Sequence, residues 1–457
     1  MKKKPVLLLL ALFLAGLVPG TGAALEEDRK LDPPKVILIG LDAVSLNIVE
    51  PLAAAGALPT LDRLMKEGAT GDHRSIWPLR TPQVWTTLVT GKYPGQHGIW
   101  DHYSDTKYSP PEFRKKKRTR LTTENRRSKA LWNILDDAGI QVMSVGWIAS
   151  WPAEKLEHGV MLAPPVRIDP AKQVSIKGSF WRDVGQQVQP KSLWPRVKET
   201  IVEGSDLSDE DLKAFADVPP AGSPILSLPY IKNYVRALRW SVARARSVEA
   251  LTLGFQAEVR PELLLFYFQC SDSLLHRFWI FQKPEAEIVE RLDTHGIPTK
   301  HAAELKARFG RVVQACYEDM DARIGRILEA TRGEETLVLV VSDHGFGEAP
   351  FPHPRKTEPY GGNHRDDGLL IAAAPWIEKG SRLPQTHVLD LAPTLLHLFG
   401  QPLAKDMPGK VLGELLSPEA KAREPRTIPS YEKKPQTKIP YRDGWPARRF
   451  RPLAEDR

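Results

Sequence analysis

Lys35 to Asp42 reads KVILIGLD, a nearly continuous apolar run rich in β-branched residues that closes on a carboxylate. Apolar side chains at consecutive positions, instead of alternate ones, suit a strand buried on both faces, as in a parallel sheet covered by helices. Two later runs share this character: Glu262 to Gln269 reads ELLLFYFQ, and Thr336 to Ser342 reads TLVLVVS. Between them Phe309, Val312, Val313, Cys316, Met320, Ile324, Ile327 and Leu328 recur every three or four positions, the pattern of an amphipathic helix. Strand, helix and strand in this order predict an α/β sandwich with a largely parallel central sheet and helices on both faces.

After the first run come LNIVEPLAAAGAL and LDRLMKEG, two helical segments, the second with Thr60 as its expected N-cap and Gly68 as its stop. From about 164 to 230 the chain is rich in Pro, Gly, Ser, Gln and charge, and is expected to form a cap or insertion beside the sheet. Residues 421–457 are expected as a basic, Pro-rich tail, extended or disordered. The catalytic domain is thereby placed over about 30–420.

A chain of 457 residues suffices for one large domain with an inserted part, and 42% hydrophobic with 26% charged residues excludes wholesale disorder. Residues 1–24 have the layout of a secretory signal peptide: a positive cluster at Met1 to Lys4, a short apolar core at Val6 to Val18, and small residues at Thr21 to Ala24. Export to the periplasm or beyond is therefore expected. The apolar core falls short of the ~20 residues that span a bilayer. Of the two cysteines, Cys316 lies on a helical apolar stripe and reads as an ordinary buried thiol, not half of a bridge with Cys270. The net charge of +8 is uneven, with Lys115, Lys116, Lys117 and Arg118 in one run and Arg448, Arg449 and Arg451 in the tail. Without aromatics interleaved at regular spacing, these runs predict no specific nucleic-acid recognition, and at most weak contact of the tail with an anionic surface.

Ligand sites in open α/β sheets collect at the carboxyl ends of strands. The three apolar runs end in metal-binding residue types: the first in Asp42, the second leading to Asp272, the third in Asp343 and His344. Burying such carboxylates unpaired is costly, and a cation is the natural compensation. Asp272 and His276, four apart, fall on one face of a helical turn. His364, in the Gly-rich stretch GGNHRDDG, is placed on a loop that can fold over the site. Mixed Asp and His donors suit zinc, with manganese or iron as alternatives. Thr81-Pro82, in RTPQVWTTLVT, ends a loop and opens a helix, which sets a hydroxyl near a helix N-terminus, where phosphate oxygens are favoured. Ser45, Thr86, Thr87 and Thr90 are rival hydroxyls without that context, and His97 reads as a structural hydrogen-bonding group.

GLDAV, TP…TLVTGKYPGQHGI, SDSLLH, VVSDHGF, GGNHR and LDLAPTLLHLFG followed by DMPGKVL stand in that order between about Lys35 and Leu415. This ordered set resembles the type I phosphodiesterase and nucleotide pyrophosphatase branch of the alkaline-phosphatase superfamily. The resemblance implies an alkaline-phosphatase-like three-layer sandwich with two divalent ions. One ion would be held by Asp42, Asp343, His344 and Thr81, and the other by Asp272, His276 and His364. It also implies that Thr81 is the nucleophile of a covalent phospho-threonine route.

At the place where nucleotide-cleaving relatives carry an Asn that binds a phosphoryl oxygen, this chain has His102, next to Asp101. That departure leaves the substrate open, whether a phosphorylated small molecule or envelope material. Hydrolysis of a phosphodiester or pyrophosphate bond leads. Phosphomonoester or phosphonate hydrolysis by the same metals is the alternative, and an inactive exported binding or scaffold protein is the rival from another class. Oligomeric state is not encoded in any motif.

Overall fold

The structure, a computed structural model, describes residues 35–103, 120–168, 175–177, 179–348 and 360–433. Val36–Leu41, Leu263–Phe268 and Leu337–Val341 are strands, each within a residue or two of the expected run. Val36–Leu41 lies in the middle, parallel to the other two on either side. Val142–Val145 adds beside Leu263–Phe268 and Gly159–Leu162 beside that, both parallel. Asp367–Ala373 runs antiparallel against Leu337–Val341 and in turn pairs with Ala69–Arg74. Among the described residues the sheet has ten strands.

Alternate residues of these strands enter two different cores. Ile37, Ile39, Leu264, Phe266, Val338 and Val340 pack under the helices Leu46–Ala54, Pro59–Glu67, Ile231–Val259 and Val312–Thr331. Val36, Leu38, Leu263, Leu265, Leu337 and Leu339 pack on the other face, with Thr81–Thr90, Leu131–Asp137 and Leu391–Leu398. That is the physical reason for unbroken apolar runs: each side chain has an apolar layer to enter whichever way it points. The result is the three-layer sandwich expected.

Two local expectations are corrected. Thr60 is not an N-cap, because Pro59 opens the helix and Leu58 occupies the capping position. The exposed amides are met instead by Asp321 of the long helix, whose carboxylate accepts from Thr60 N at 2.9 Å and Leu61 N at 2.7 Å. Within the expected cap or insertion at about 164–230, Val188–Gln189 joins the edge of the central sheet antiparallel to Gly159–Leu162. The tail does not begin at 421. Thr427–Ile428 pairs with Leu403–Ala404, Tyr431 packs on the core, and Glu432 forms an ion pair with the buried Lys92. Residues 434–457, the signal segment and the Lys115 run lie outside the described residues. Cys316 is buried on the apolar face of the Val312–Thr331 helix. No helix among the described residues is long and apolar enough to cross a membrane.

Candidate metal centre

Asp42 follows directly on the central strand, and its place is fixed from three sides. Its own carbonyl accepts a hydrogen bond from Ser271 Oγ, its amide donates to Phe268 O at 3.0 Å, and Tyr267 donates its phenolic proton to Asp42 Oδ2 at 2.5 Å. Across the sheet, Asp343 Oδ1 accepts from Ala43 N at 3.2 Å, and Ser342 Oγ accepts from Val44 N at 2.9 Å, so the ends of two strands are tied together. His344 donates from Nδ1 to the carbonyl of Gly345 at 3.1 Å. A carbonyl only accepts, so Nδ1 carries the hydrogen and Nε2 presents its lone pair.

That lone pair points at carboxylates. His344 Nε2 lies 3.2 Å from Asp343 Oδ2 and 3.7 Å from Asp42 Oδ1. All three residues are fully buried, and all three of these atoms lack a hydrogen-bond partner. Three acceptors converging without a donor cost several kcal/mol, of the order of 1–3 each, unless a cation sits among them. Burial, with Asp343 and Asp272 near, pushes the Asp42 carboxyl well above the usual carboxylate range, and burial does the same to Asp343. Burial and the neighbouring His364 hold the His344 imidazole well below its ordinary value, neutral and able to donate its lone pair to a metal. The residues fit a divalent ion.

The second group gathers beside it. Asp272 and His276 lie on the short helix Cys270–Phe278, one turn apart, with His276 Nε2 3.2 Å from Asp272 Oδ1. His364 comes from elsewhere. Instead of an irregular loop, it sits on a two-stranded ribbon in which Asn363–Arg365 pairs antiparallel with Gly345–Gly347, the strand that follows His344. His364 Nδ1 donates to Leu79 O at 3.0 Å, which turns its Nε2 towards Asp272 Oδ1 at 3.1 Å and His276 Nε2 at 2.7 Å. Burial would raise the Asp272 carboxyl, yet His276 and His364 outweigh it and hold it well below its usual range. The two groups touch: His344 stacks on His364 with ring centroids 3.8 Å apart, and donor atoms of Asp272, His344 and His364 lie within 4.8 Å of one another. Gly361 is required on the ribbon's approach, since a Cβ there would stand 2.2 Å from the backbone oxygen of His276.

Thr81 is the first residue of the buried helix Thr81–Thr90. It lines a cavity of about 410 Å³ together with Asp272, His276, His364 and His102. Arg80 holds the capping position and its side chain makes no capping hydrogen bond, which suits an anion at the first amides of the helix. The rival hydroxyls are occupied: Ser45 Oγ donates to Asn47 Oδ1 at 2.5 Å, Thr86 to Pro82 O at 2.6 Å and Thr90 to Thr86 O at 2.7 Å. Thr87 accepts from His97 Nε2 at 3.0 Å, because His97 Nδ1 already accepts from Ile99 N. His97 is thus structural.

Helix and centre are joined by aromatic packing. Trp85 stands edge-on to Tyr267 at 4.8 Å and to Trp147 at 5.1 Å. It reaches there because Gly40 has no side chain; a Cβ at Gly40 would lie 2.9 Å from the Trp85 ring. Tyr267, Ser271, Gln269 and Arg244, the last two also in the cavity wall, were not singled out from the sequence. Tyr267 had a signal, as a polar aromatic within a run otherwise built for burial; the other three had none.

A family model described as type I phosphodiesterase / nucleotide pyrophosphatase matches residues 36–390. Among curated proteins, the 2,3-bisphosphoglycerate-independent phosphoglycerate mutase of Shewanella oneidensis is 31% identical over 113 residues, 23% of this chain and 19% of that one. The enzyme of the same name from Cereibacter sphaeroides is 32% identical over 105 residues, 23% and 20% of the two chains. The chain thus spans about a fifth of the length of these relatives. Among solved structures, a phosphonate monoester hydrolase from Silicibacter pomeroyi aligns with TM-score 0.47 at 15% identity, over 86% of this chain and 77% of that one. Human ectonucleotide pyrophosphatase / phosphodiesterase 5 aligns with TM-score 0.45 at 14% identity, over 84% and 100%.

Proposed function

Since the chain belongs to the type I phosphodiesterase / nucleotide pyrophosphatase family, in the alkaline-phosphatase superfamily, we propose that it hydrolyses a phosphodiester or pyrophosphate bond through a covalent phospho-threonine at Thr81. The observation that carries the proposal is the convergence of Asp42 Oδ1, Asp343 Oδ2 and His344 Nε2, buried and without donors, beside a second Asp-His-His group. Asp42, Asp343, His344 and Thr81 would hold one divalent ion, and Asp272, His276 and His364 another, zinc by donor type. Bound there, the ions supply charge neutralisation for the phosphoryl oxygens and the leaving oxygen, and a lowered pKa for the Thr81 hydroxyl.

The chain's own groups do the rest. Thr81 Oγ attacks phosphorus in line, forming the Oγ–P bond as the bond to the leaving oxygen breaks, and the hydroxyl proton passes by way of solvent to the leaving oxygen. Water then attacks the phospho-threonine and returns Thr81 with its proton. The N-terminal amides of the Thr81–Thr90 helix and its dipole favour the anion. His102, in the cavity wall, contacts a phosphoryl oxygen where nucleotide-cleaving relatives use Asn. Residues 1–24 direct export, and the segment after 433 adds at most weak contact with an anionic surface.

Turnover of bis-p-nitrophenyl phosphate, measured before and after chelation and with zinc restored, tests the metal dependence. Thr81→Ala should abolish it, by about 10³-fold or more. Retained turnover in that variant removes the nucleophile assignment. The cavity wall also carries Arg80, Arg244 and Arg277, which favours as second reading a more highly charged phosphomonoester or phosphonate. The ratio of p-nitrophenyl phosphate to bis-p-nitrophenyl phosphate turnover decides between them.

A further inference from the structure

Each residue of the Asp272, His276 and His364 group has beside it in the chain a polar residue that lines the same cavity. Ser273 follows Asp272, Arg277 follows His276, and Asn363 precedes His364. Ser273 and Arg277 are four apart on the helix Cys270–Phe278, so they share a face next to the one that presents Asp272 and His276. Asn363 comes from the ribbon, which is held close against that helix. Gly362 N donates to Leu275 O at 3.4 Å, and Gly361 leaves no room for a side chain against His276 O.

All three side chains keep donors in reserve. Arg277 Nη1 donates to the carbonyl of Ser273 at 2.5 Å and to Ser273 Oγ at 3.1 Å, both neutral acceptors. Its guanidinium thus folds back one turn onto its own helix instead of extending into solvent. Among the described residues Nε and Nη2 donate to nothing, and Arg277 has no ion-pair partner. Ser273 Oγ accepts from Arg277 and donates its own proton to no described residue. Asn363 Oδ1 accepts from His364 N at 3.0 Å, which fixes the amide and leaves Nδ2 as a donor. An anchored guanidinium with spare N–H groups, sharing a cavity wall with two neutral donors, matches an oxyanion, which a fork of donors binds in a fixed geometry.

We propose that Ser273, Arg277 and Asn363 form a specificity subsite for a second oxyanion on the substrate, a carboxylate or a further phosphoryl group, a few bonds from the reacting phosphorus. Arg277 is its charged member, and Ser273 both orients Arg277 and donates. This deepens the phosphoesterase reading and rests on it for placing phosphorus in this cavity.

Calorimetric dissociation constants on the full-length, zinc-loaded protein test the proposal. The probes are ω-carboxyalkylphosphonates with two to four methylenes, the matching α,ω-bisphosphonates, and, as neutral counterparts of equal length, ω-carbamoylalkylphosphonates. The best doubly anionic probe should bind about tenfold or more tighter than its neutral counterpart, and the carboxylate and bisphosphonate arms tell which oxyanion is preferred. Arg277→Met should bring the ratio close to one, and Arg277→Lys should keep part of it. Ser273→Ala and Asn363→Ala should each reduce it by a smaller factor. Equal affinities of charged and neutral probes in the unaltered protein overturn the proposal. So does a ratio that survives in Arg277→Met, even where both probes weaken together, because the guanidinium then serves the reacting phosphoryl group or the scaffold. If Arg277→Met does not fold, an undiminished ratio in both Arg277→Lys and Ser273→Ala overturns it instead. Turnover of bis-p-nitrophenyl phosphate by the same preparation separates this subsite from the reading beneath it. Turnover without a binding ratio sinks the subsite alone, and a binding ratio without turnover sinks the phosphoesterase reading.

Discussion

Tyr267 OH lies 2.5 Å from Asp42 Oδ2, and the phenol has no freedom to leave, because its ring is edge-packed against Trp85. The bond directs one carboxylate oxygen away from the centre and leaves Asp42 Oδ1 facing His344 Nε2. An outer residue thereby selects which oxygen is offered to a cation.

Tyr267→Phe removes that selection while preserving the ring packing. Zinc affinity, read by competition with a chromophoric chelator, should fall about 10–100-fold. An unchanged affinity would show that the phenol only fills space.

Gly40→Ala tests the contact between the sheet and the nucleophile's helix. The added Cβ would press on Trp85 at 2.9 Å, and overpacking of this kind costs about 1–3 kcal/mol. Urea unfolding should show that loss, and turnover per folded molecule should fall as well, since Thr81 begins the helix that carries Trp85. Loss of stability with full turnover would uncouple the two.

Stability should also fall in acid. Burial, with His387 nearby, lowers the His73 imidazole to about 3, whereas in the unfolded chain it titrates near 6.5. Between these values the unfolded chain binds the extra proton, so stability is fully present above about pH 6.5 and is lost as pH falls towards 3. The slope is up to about 1.4 kcal/mol per pH unit. His97, held well below its ordinary value by burial, adds with the same sign. Urea midpoints between pH 7.5 and 4 should show His73→Gln with a shallower decline than the unaltered chain; an identical decline would contradict this.

Shortening the chain tests the packing of the segment that ends at Lys433. Lys92 is buried and paired with Asp406 at 2.8 Å and with Glu432. Ending the chain after Pro425 removes Glu432 and Tyr431 and should cost about 2–4 kcal/mol in urea unfolding. Ending it after Lys433 should change stability by less than about 0.5 kcal/mol. Equal effects of the two truncations would refute the packing role.

What was legible in the sequence was what local pattern controls. Val36–Leu41, Leu263–Phe268 and Leu337–Val341 declare themselves because burial on both faces leaves no room for polar residues. Asp42, Asp272, Asp343 and His344 stand out because they break those runs at the carboxyl ends. Contacts made across long separations left no such trace. The cap on the Pro59–Glu67 helix comes from Asp321, some 260 positions away, so Thr60 looked like the obvious choice. His364 belongs to a ribbon only three residues long on each side, too short for periodicity to register. Tyr267 carried only the faint signal of a phenol within a core strand, and Arg244 stood as one more cation on a long helix.

Trp85, seated over Gly40 and against Tyr267, makes the sheet interior and the reaction centre one mechanical object. Such an arrangement leaves no separately melting catalytic corner. On slow heating, loss of turnover and loss of near-ultraviolet aromatic circular dichroism should therefore follow a single curve, with no cooler step in which activity fades inside an otherwise intact fold.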